Sequence, residues 1–244
     1  KQYSHPDIEY IHANHHKYQT ISNQIMACLI EQIGPDIEIF SIDEAFINIT
    51  PSKHLYTSEL ALIHHIQRSI FQTTGLTCSV GLAENKVLAK VASKVNKPNG
   101  YFVIPPGTGK NYLYDLPVDT LCGIGPKMKI ILNQYGVYRC GDISKIPISI
   151  LSAKFGQIGR QVWWMCQGIG PTELNTQVTP KKTLGRSKCL KWQIYPQDEI
   201  DSYFSLLSFS LSQKIRQHHM KAQKFVVSMY TDQDKVCAIL STPI

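Results

Sequence analysis

The sequence has no Cys-x-x-Cys pair: its seven cysteines are scattered and odd in number, which argues against both a zinc knuckle and a disulfide framework. A reducing cytoplasm is the simplest setting for them. Also missing is any apolar run near the roughly 18 residues that a membrane-spanning helix needs. The opening KQYSHPDIEY lacks the charged-then-apolar order of a secretory signal. There is no internal repeat and no low-complexity tract. The first residue is Lys1 rather than Met, which points to a fragment or a processed chain.

What is present is a 244-residue chain that is 43% hydrophobic, enough for one large core or two or three small ones. Charge is divided unevenly along it. Residues 1–75 carry four Lys/Arg against eight Asp/Glu, and residues 76–244 carry 21 against 10. An acidic first third with a basic remainder fits a polyanion-binding surface joined to a part that needs negative charge for something else. Ordinary solubilising charge is the plainer reading.

Tyr18, Ile21, Ile25, Leu29 and Ile33 recur at helical spacing and predict a helix over 15–33, stopped by Gly34-Pro35. Short strands follow at 37–42 and 45–50. A second helix near 57–73, with Leu60, Ile63, Ile66 or Gln67, and Ile70 inward, ends at Gly75. Residues 76–83 are strand-like, 85–95 helical and 101–104 strand-like. The order α-β-β-α-β-α-β matches a ferredoxin-like βαββαβ unit without its first strand and with an extra αβ. Such a sheet would leave apolar surface and a ladder edge uncovered, so the order itself suggests an N-terminal truncation. Residues 109–174 turn helical, 175–183 read as a linker, and 186–194 as a strand. Ile200, Phe204, Leu207, Leu211 and Ile215 mark an amphipathic helix, and KFVVSMYT and VCAILS two further strands.

Four pieces carry chemistry. In FSIDEAFINIT, Asp43 and Glu44 sit between two apolar runs; at a hairpin junction both carboxylates can leave one end of the sheet. Their repulsion would be relieved by a hard divalent cation such as Mg²⁺, although an acidic turn has the same sequence. In NKVLAKVASKVNKPNG, Lys86, Lys90, Lys94 and Lys97 fall within about 80° of arc on a helix, opposite Leu88, Val91, Ala92 and Val95. This is a lysine stripe, either a solvated face or a phosphate-facing one, and KPNG leaves Lys97 at its end. In LCGIGPKMKIILNQYG, a GIG turn precedes Pro126, with Met128, Ile131, Leu132 and Tyr135 at helical spacing. That is a helix-hairpin-helix pattern, whose glycines let backbone N–H groups approach a phosphate. Finally, Lys181, Lys182, Arg186, Lys188 and Lys191 flank the linker and could track a nucleic-acid backbone. The histidines His12, His16, His64, His65, His218 and His219 show no third ligand and read as structural.

Together these segments resemble the Y-family, or translesion, DNA polymerases of the bacterial type, along nearly the whole chain. The resemblance implies an α+β fold: a ferredoxin-like palm with its first strand missing, a small helical thumb with a helix-hairpin-helix, and a partial α/β little-finger domain. Residues 1–106 would be the end of the fingers plus the palm, 107–176 the thumb, 177–183 a linker and 184–244 the little finger. It implies a DNA-directed DNA polymerase, a nucleotidyltransferase that adds dNTPs opposite damaged bases with two Mg²⁺ ions. Asp43 and Glu44 would then be catalytic and metal-binding, and Lys97 would contact the incoming triphosphate. Lys86, Lys90, Gly123, Ile124, Gly125, Lys127, Lys181, Lys182, Arg186, Ser187 and Lys188 would face DNA. Primer-template DNA and dNTP are the implied partners, a sliding clamp a further one, and the expected state is a cytoplasmic monomer away from membranes.

The departures from the family pattern matter too. The family's opening strand, with a metal-ligating Asp and an aromatic residue that excludes ribonucleotides, is not in the sequence; neither are the fingers Tyr and Arg near the triphosphate. Asp7 follows a Pro in a polar segment and is a poor substitute. The little finger reads as unfinished. The expectation is therefore a chain that does not polymerise by itself. Two other classes stay open: a non-catalytic DNA-binding protein using thumb and little-finger contacts, and a nucleotidyl cyclase, whose palm shares the ferredoxin-like plan.

Overall fold

The computed structural model of the protein describes residues 9, 11–177, 182–190, 195–230 and 235–241. The linker lysine Lys181, Asp7, Lys191 and the rest of the expected strand at 191–194 lie outside them. No helix among the described residues is long and apolar enough to cross a membrane. The chain forms two compact units, residues 1–178 and 179–244.

In the first unit, α1 (His15–Gln32) starts where the Asn14 side chain accepts the Lys17 N–H, satisfying one of the helix's unpaired donors. A short antiparallel hairpin follows, β1 (Ile37–Ile39) against β2 (Ala45–Ile47), with Glu38 opposite Phe46. Next comes α2 (Glu59–Thr74), capped by the Ser58 hydroxyl and closed by Gly75 at φ 72°, a left-handed position that glycine reaches without strain. Met26, Leu29 and Ile33 of the first helix region, Ile37, and Leu62, Ile66 and Ile70 form one buried cluster. The inward face of α2 is rotated from the expected one: Leu62 is buried while Leu60 is exposed, because α1 packs over the Leu62 side.

β3 (Val80–Leu82) leads into α3 (Lys86–Val95) and returns to β4 (Tyr101–Val103), which pairs parallel to β3. A side chain on Gly81 would run into the backbone of Ala89 and Ser93, so β3 lies directly on α3. A continuous ferredoxin-like sheet does not form among the described residues. There are instead separate two-stranded pairs, β1-β2 and β3-β4. Between them runs a groove of ≈ 1530 Å³, with residues of β2 on one wall, β3 on another, and apolar side chains of α1 and α2 in its lining.

The helical part follows: α4 (Gly109–Tyr114), a 3-10 turn at Val118–Thr120, α5 (Pro126–Gln134), α6 (Cys140–Ile143) and α7 (Ile148–Met165), the last interrupted at Gly156. Its core includes Leu113, Leu121, Leu132 and Ile143, and it is shared with Val87, Leu88, Val91 and Ala92 of α3. One helix therefore fastens the half-sheets to the helical bundle.

The second unit holds α8 (Gln197–Gln217) and an antiparallel hairpin, β5 (Lys224–Tyr230) with β6 (Lys235–Ser241). Residues 186–190, expected to begin a strand, form none, since β5 and β6 pair only with each other among the described residues.

Candidate active site

The hairpin geometry decides how the two carboxylates sit. Phe40 and Ser41 N–H groups both donate to the Glu44 carbonyl, closing a tight turn in which alternation of side chains no longer applies. Asp43 and Glu44 therefore converge. The Ser41 hydroxyl donates to Asp43 Oδ1 at 2.6 Å and lies 3.5 Å from Glu44 Oε2.

Facing them is α3, whose start is fixed by Asn85. This buried residue accepts the Leu88 N–H through Oδ1 and donates from Nδ2 to the Gly168 carbonyl at 2.8 Å. The lysine stripe then divides in two. Lys94 and Lys97 are exposed, and α3 ends at Val95, leaving Lys97 in the following turn, on the lining of the same groove as Asp43 and Glu44. Lys86 and Lys90, expected on a solvated or DNA-facing surface, are turned onto the hairpin. Lys86 Nζ donates to Glu38 Oε2 at 2.7 Å. Lys90 Nζ contacts both Glu44 oxygens, at 2.9 and 2.8 Å, and stands 4.0 Å from the Phe40 ring centroid. Their side chains are only 17% and 14% exposed. A low-exposure ammonium finds a carboxylate before it finds solvent, and the hairpin supplies two.

Glu38 also accepts the Asn175 N–H at 2.7 Å, tying β1 to the chain beyond α7. Burial by itself pushes the Glu38 carboxyl up, but the hydrogen bonds from Lys86 and Asn175, with the Lys86 charge, hold it below its ordinary value. Ser41, Glu38, Phe40 and Asn85 are the participants that sequence reasoning missed. Glu38 meets Lys86 48 positions away and Asn85 meets Gly168 83 positions away, so no local spacing marks those pairs, whereas Ser41 binds Asp43 only two positions on.

The donor set fits a hard divalent cation in kind, being two convergent carboxylates with a hydroxyl between them. In number it is one wall: among the described residues no cluster of three His, Cys, Asp or Glu could hold a metal.

The GIG segment forms a turn of another kind. Gly123 has φ 95°, Gly125 caps α5, and Pro126 is its first residue. The Ile124 side chain is buried in the core, so the turn offers backbone rather than that side chain. Lys127 is exposed, whereas Lys129 is paired with Asp119 at 2.8 Å. The helix before the turn is a single 3-10 turn, and Tyr135, expected on the apolar face, ends the helix 61% exposed. In the second unit, Lys182, Arg186, Ser187 and Lys188 are exposed, and Lys188 Nζ lies 4.8 Å from the Tyr203 ring centroid.

The impB/mucB/samB family model matches residues 2–94, the stretch that holds the hairpin, most of the groove's lining and most of α3. A DNA polymerase IV of Shigella flexneri is 33% identical over 198 residues, covering 81% of this chain and 56% of the relative. One from Lactococcus lactis subsp. lactis is 30% identical over 228 residues, covering 93% and 62%. Over most of its length the chain is similar to DNA polymerases of the Y-family. Among solved structures, a Y-family Dbh–Dpo4 polymerase chimera superposes with TM-score 0.78 at 24% identity, over 97% of this chain and 68% of that one. An insertion ternary complex of Dbh DNA polymerase gives 0.62 at 25%. The mixed α+β architecture with small sheets is that of these Y-family structures. The chain spans 56–62% of the length of the curated relatives named here.

Proposed function

We propose that this chain supplies the palm, thumb and part of the little finger of a cytoplasmic translesion DNA polymerase of the Y-family, which adds dNTPs to a primer opposite damaged template bases. The observation that carries the reading is the convergence of Asp43 and Glu44 on Ser41 at the tip of a hairpin, beside a lysine-bearing helix.

In this reading Asp43 and Glu44 hold Mg²⁺, which when bound would lower the charge on the triphosphate and polarise the reacting phosphoryl oxygens. Ser41 orients Asp43 by its short hydrogen bond. Lys97 meets the triphosphate as a mobile point charge. The backbone N–H groups around Gly123, Ile124 and Gly125, with Lys127, hold a DNA phosphate without reading sequence. Lys182, Arg186, Ser187 and Lys188 follow the duplex backbone in a salt-dependent manner, and Lys181 continues that run. Lys86 and Lys90 act through the hairpin, since their ammoniums are already engaged with Glu38 and Glu44. Residues 1–106, 107–176 and 184–244 are the proposed domains, joined at 177–183.

The test is primer extension with Mg²⁺ and dNTPs by the protein of the complete reading frame, and by its Asp43→Asn variant. The expected result is extension lost in the variant while primed-DNA affinity stays within about twofold, as for an interaction needed only in the chemical step. Extension that survives Asp43→Asn would overturn the reading. DNA binding without extension by either protein would favour a non-catalytic DNA-binding role.

A further inference from the structure

The lysine on Glu44 is the least expected feature of the site. Lys90 takes both oxygens of one of the two carboxylates proposed as metal ligands. It is not a chance surface pair: its side chain is 14% exposed and its ammonium stands 4.0 Å from the Phe40 ring centroid, a favourable place for a cation. Phe40 is itself held edge-on against Phe46 at 5.5 Å. The ammonium is thus positioned from three sides, by Glu44, by the Phe40 ring and by the rigid backbone of α3.

Such an ammonium answers the repulsion between adjacent carboxylates when no metal is present. It also stands where a divalent ion bound to Glu44 would meet a like charge. Among the described residues Asp43 has no such cation: its contacts are the Ser41 hydroxyl and, through its own N–H, the Ser41 oxygen.

We propose that Lys90 is a built-in counter-cation for Glu44, which holds the carboxylate in place in the metal-free chain and sets divalent-ion affinity by competing for it. Glu44 exchanges one cation for another, and the hairpin keeps its shape in both states. Lys90 is accordingly a positioning residue, and the inference rests on Asp43 and Glu44 being the metal ligands. Lys86 serves as an internal control. It lies one turn earlier on α3 with the same kind of contact, but its carboxylate is Glu38, whose other partner is the Asn175 N–H.

The experiment is a titration of the chain with Mn²⁺ alone, read by water-proton relaxation, with far-ultraviolet circular dichroism to confirm folding. Lys90→Met should bind Mn²⁺ about fivefold more tightly or better, because a fixed like charge has been removed. Lys86→Met should stay within about twofold of the parent, since that ammonium is bonded to Glu38 and makes no direct contact with Glu44. If folded Lys90→Met binds equally or more weakly, the proposal fails. Should Lys90→Met not fold, Lys90→Gln is judged by the same criterion. Asp43→Asn separates the two ideas: loss of Mn²⁺ binding there with no change in Lys90→Met sinks only the role of Lys90, and unchanged binding in Asp43→Asn sinks the metal site itself.

Discussion

The first unit buries what it needs to hold a charged site, and the second does not. Around the Asp43–Glu44 turn, two apolar clusters contain side chains such as Leu62, Leu88 and Leu132 at 2% exposure or less. The pairs Lys86–Glu38 and Lys90–Glu44 are set at the edge of that packing. In the second unit α8 has no buried residue, and Val226, Ile239 and Leu240 of its hairpin are each more than half exposed. The same residue types, lysine over an aromatic ring, occur in both: Lys90 over Phe40 and Lys188 over Tyr203. Among the described residues only the first is also held by an ion pair, from a lysine side chain that is 14% exposed. Packing, rather than the presence of charge, decides which basic residues become fixed parts of a site and which remain exposed.

The contrast can be broken most forcefully in the cores. Leu88→Ala should destabilise the first unit by about 2–5 kcal/mol in urea denaturation, the range for a fully buried leucine. Leu207→Ala in α8 should cost about 1 kcal/mol or less, because that side chain is only half-buried. Comparable losses would show that the second unit has a core of its own.

Asn85→Ala is expected to come next, at about 1–3 kcal/mol, since it removes a helix cap and leaves the Gly168 carbonyl without its partner. A loss confined to the first unit's transition would confirm that α3 is the fastening element.

A smaller effect should be visible in acid. Asp142 accepts from Lys145 and from the N–H groups of Arg139 and Tyr138, which hold its carboxyl at about 2 against an ordinary 3.8. Because the folded value is depressed, its contribution is complete above the ordinary value and disappears as pH falls through about 2. Asp142→Asn should flatten the stability–pH curve of the first unit between those limits, and an unchanged slope would contradict the assignment. Smallest of all, Lys129→Ala removes an exposed pair with Asp119 and should cost under about 1 kcal/mol in the same assay.

Much of this was legible in the sequence because it is local. Gly75 and Pro35 punctuate the helices where hydrophobic periodicity changes, and the apolar runs around Asp43 and Glu44 mark a hairpin whose tip carries both acids. The partners of the lysines were not legible. Lys86 and Lys90 share a helix face with Lys94 and Lys97, and periodicity assigns all four the same environment. The hairpin covers only the first two, a fact set by contacts between residues more than 40 positions apart. The split between β2 and β3 was similarly out of reach, since element order gives strands but not their neighbours.

The measurement that bears most directly on the site is residue-resolved paramagnetic broadening of the chain's amide signals on adding substoichiometric Mn²⁺. The account predicts that Ser41, Asp43 and Glu44 broaden first. If the earliest losses cluster instead at another acidic position, such as Asp115 or Asp142, with the hairpin tip unaffected, the assignment of the metal-binding wall is wrong.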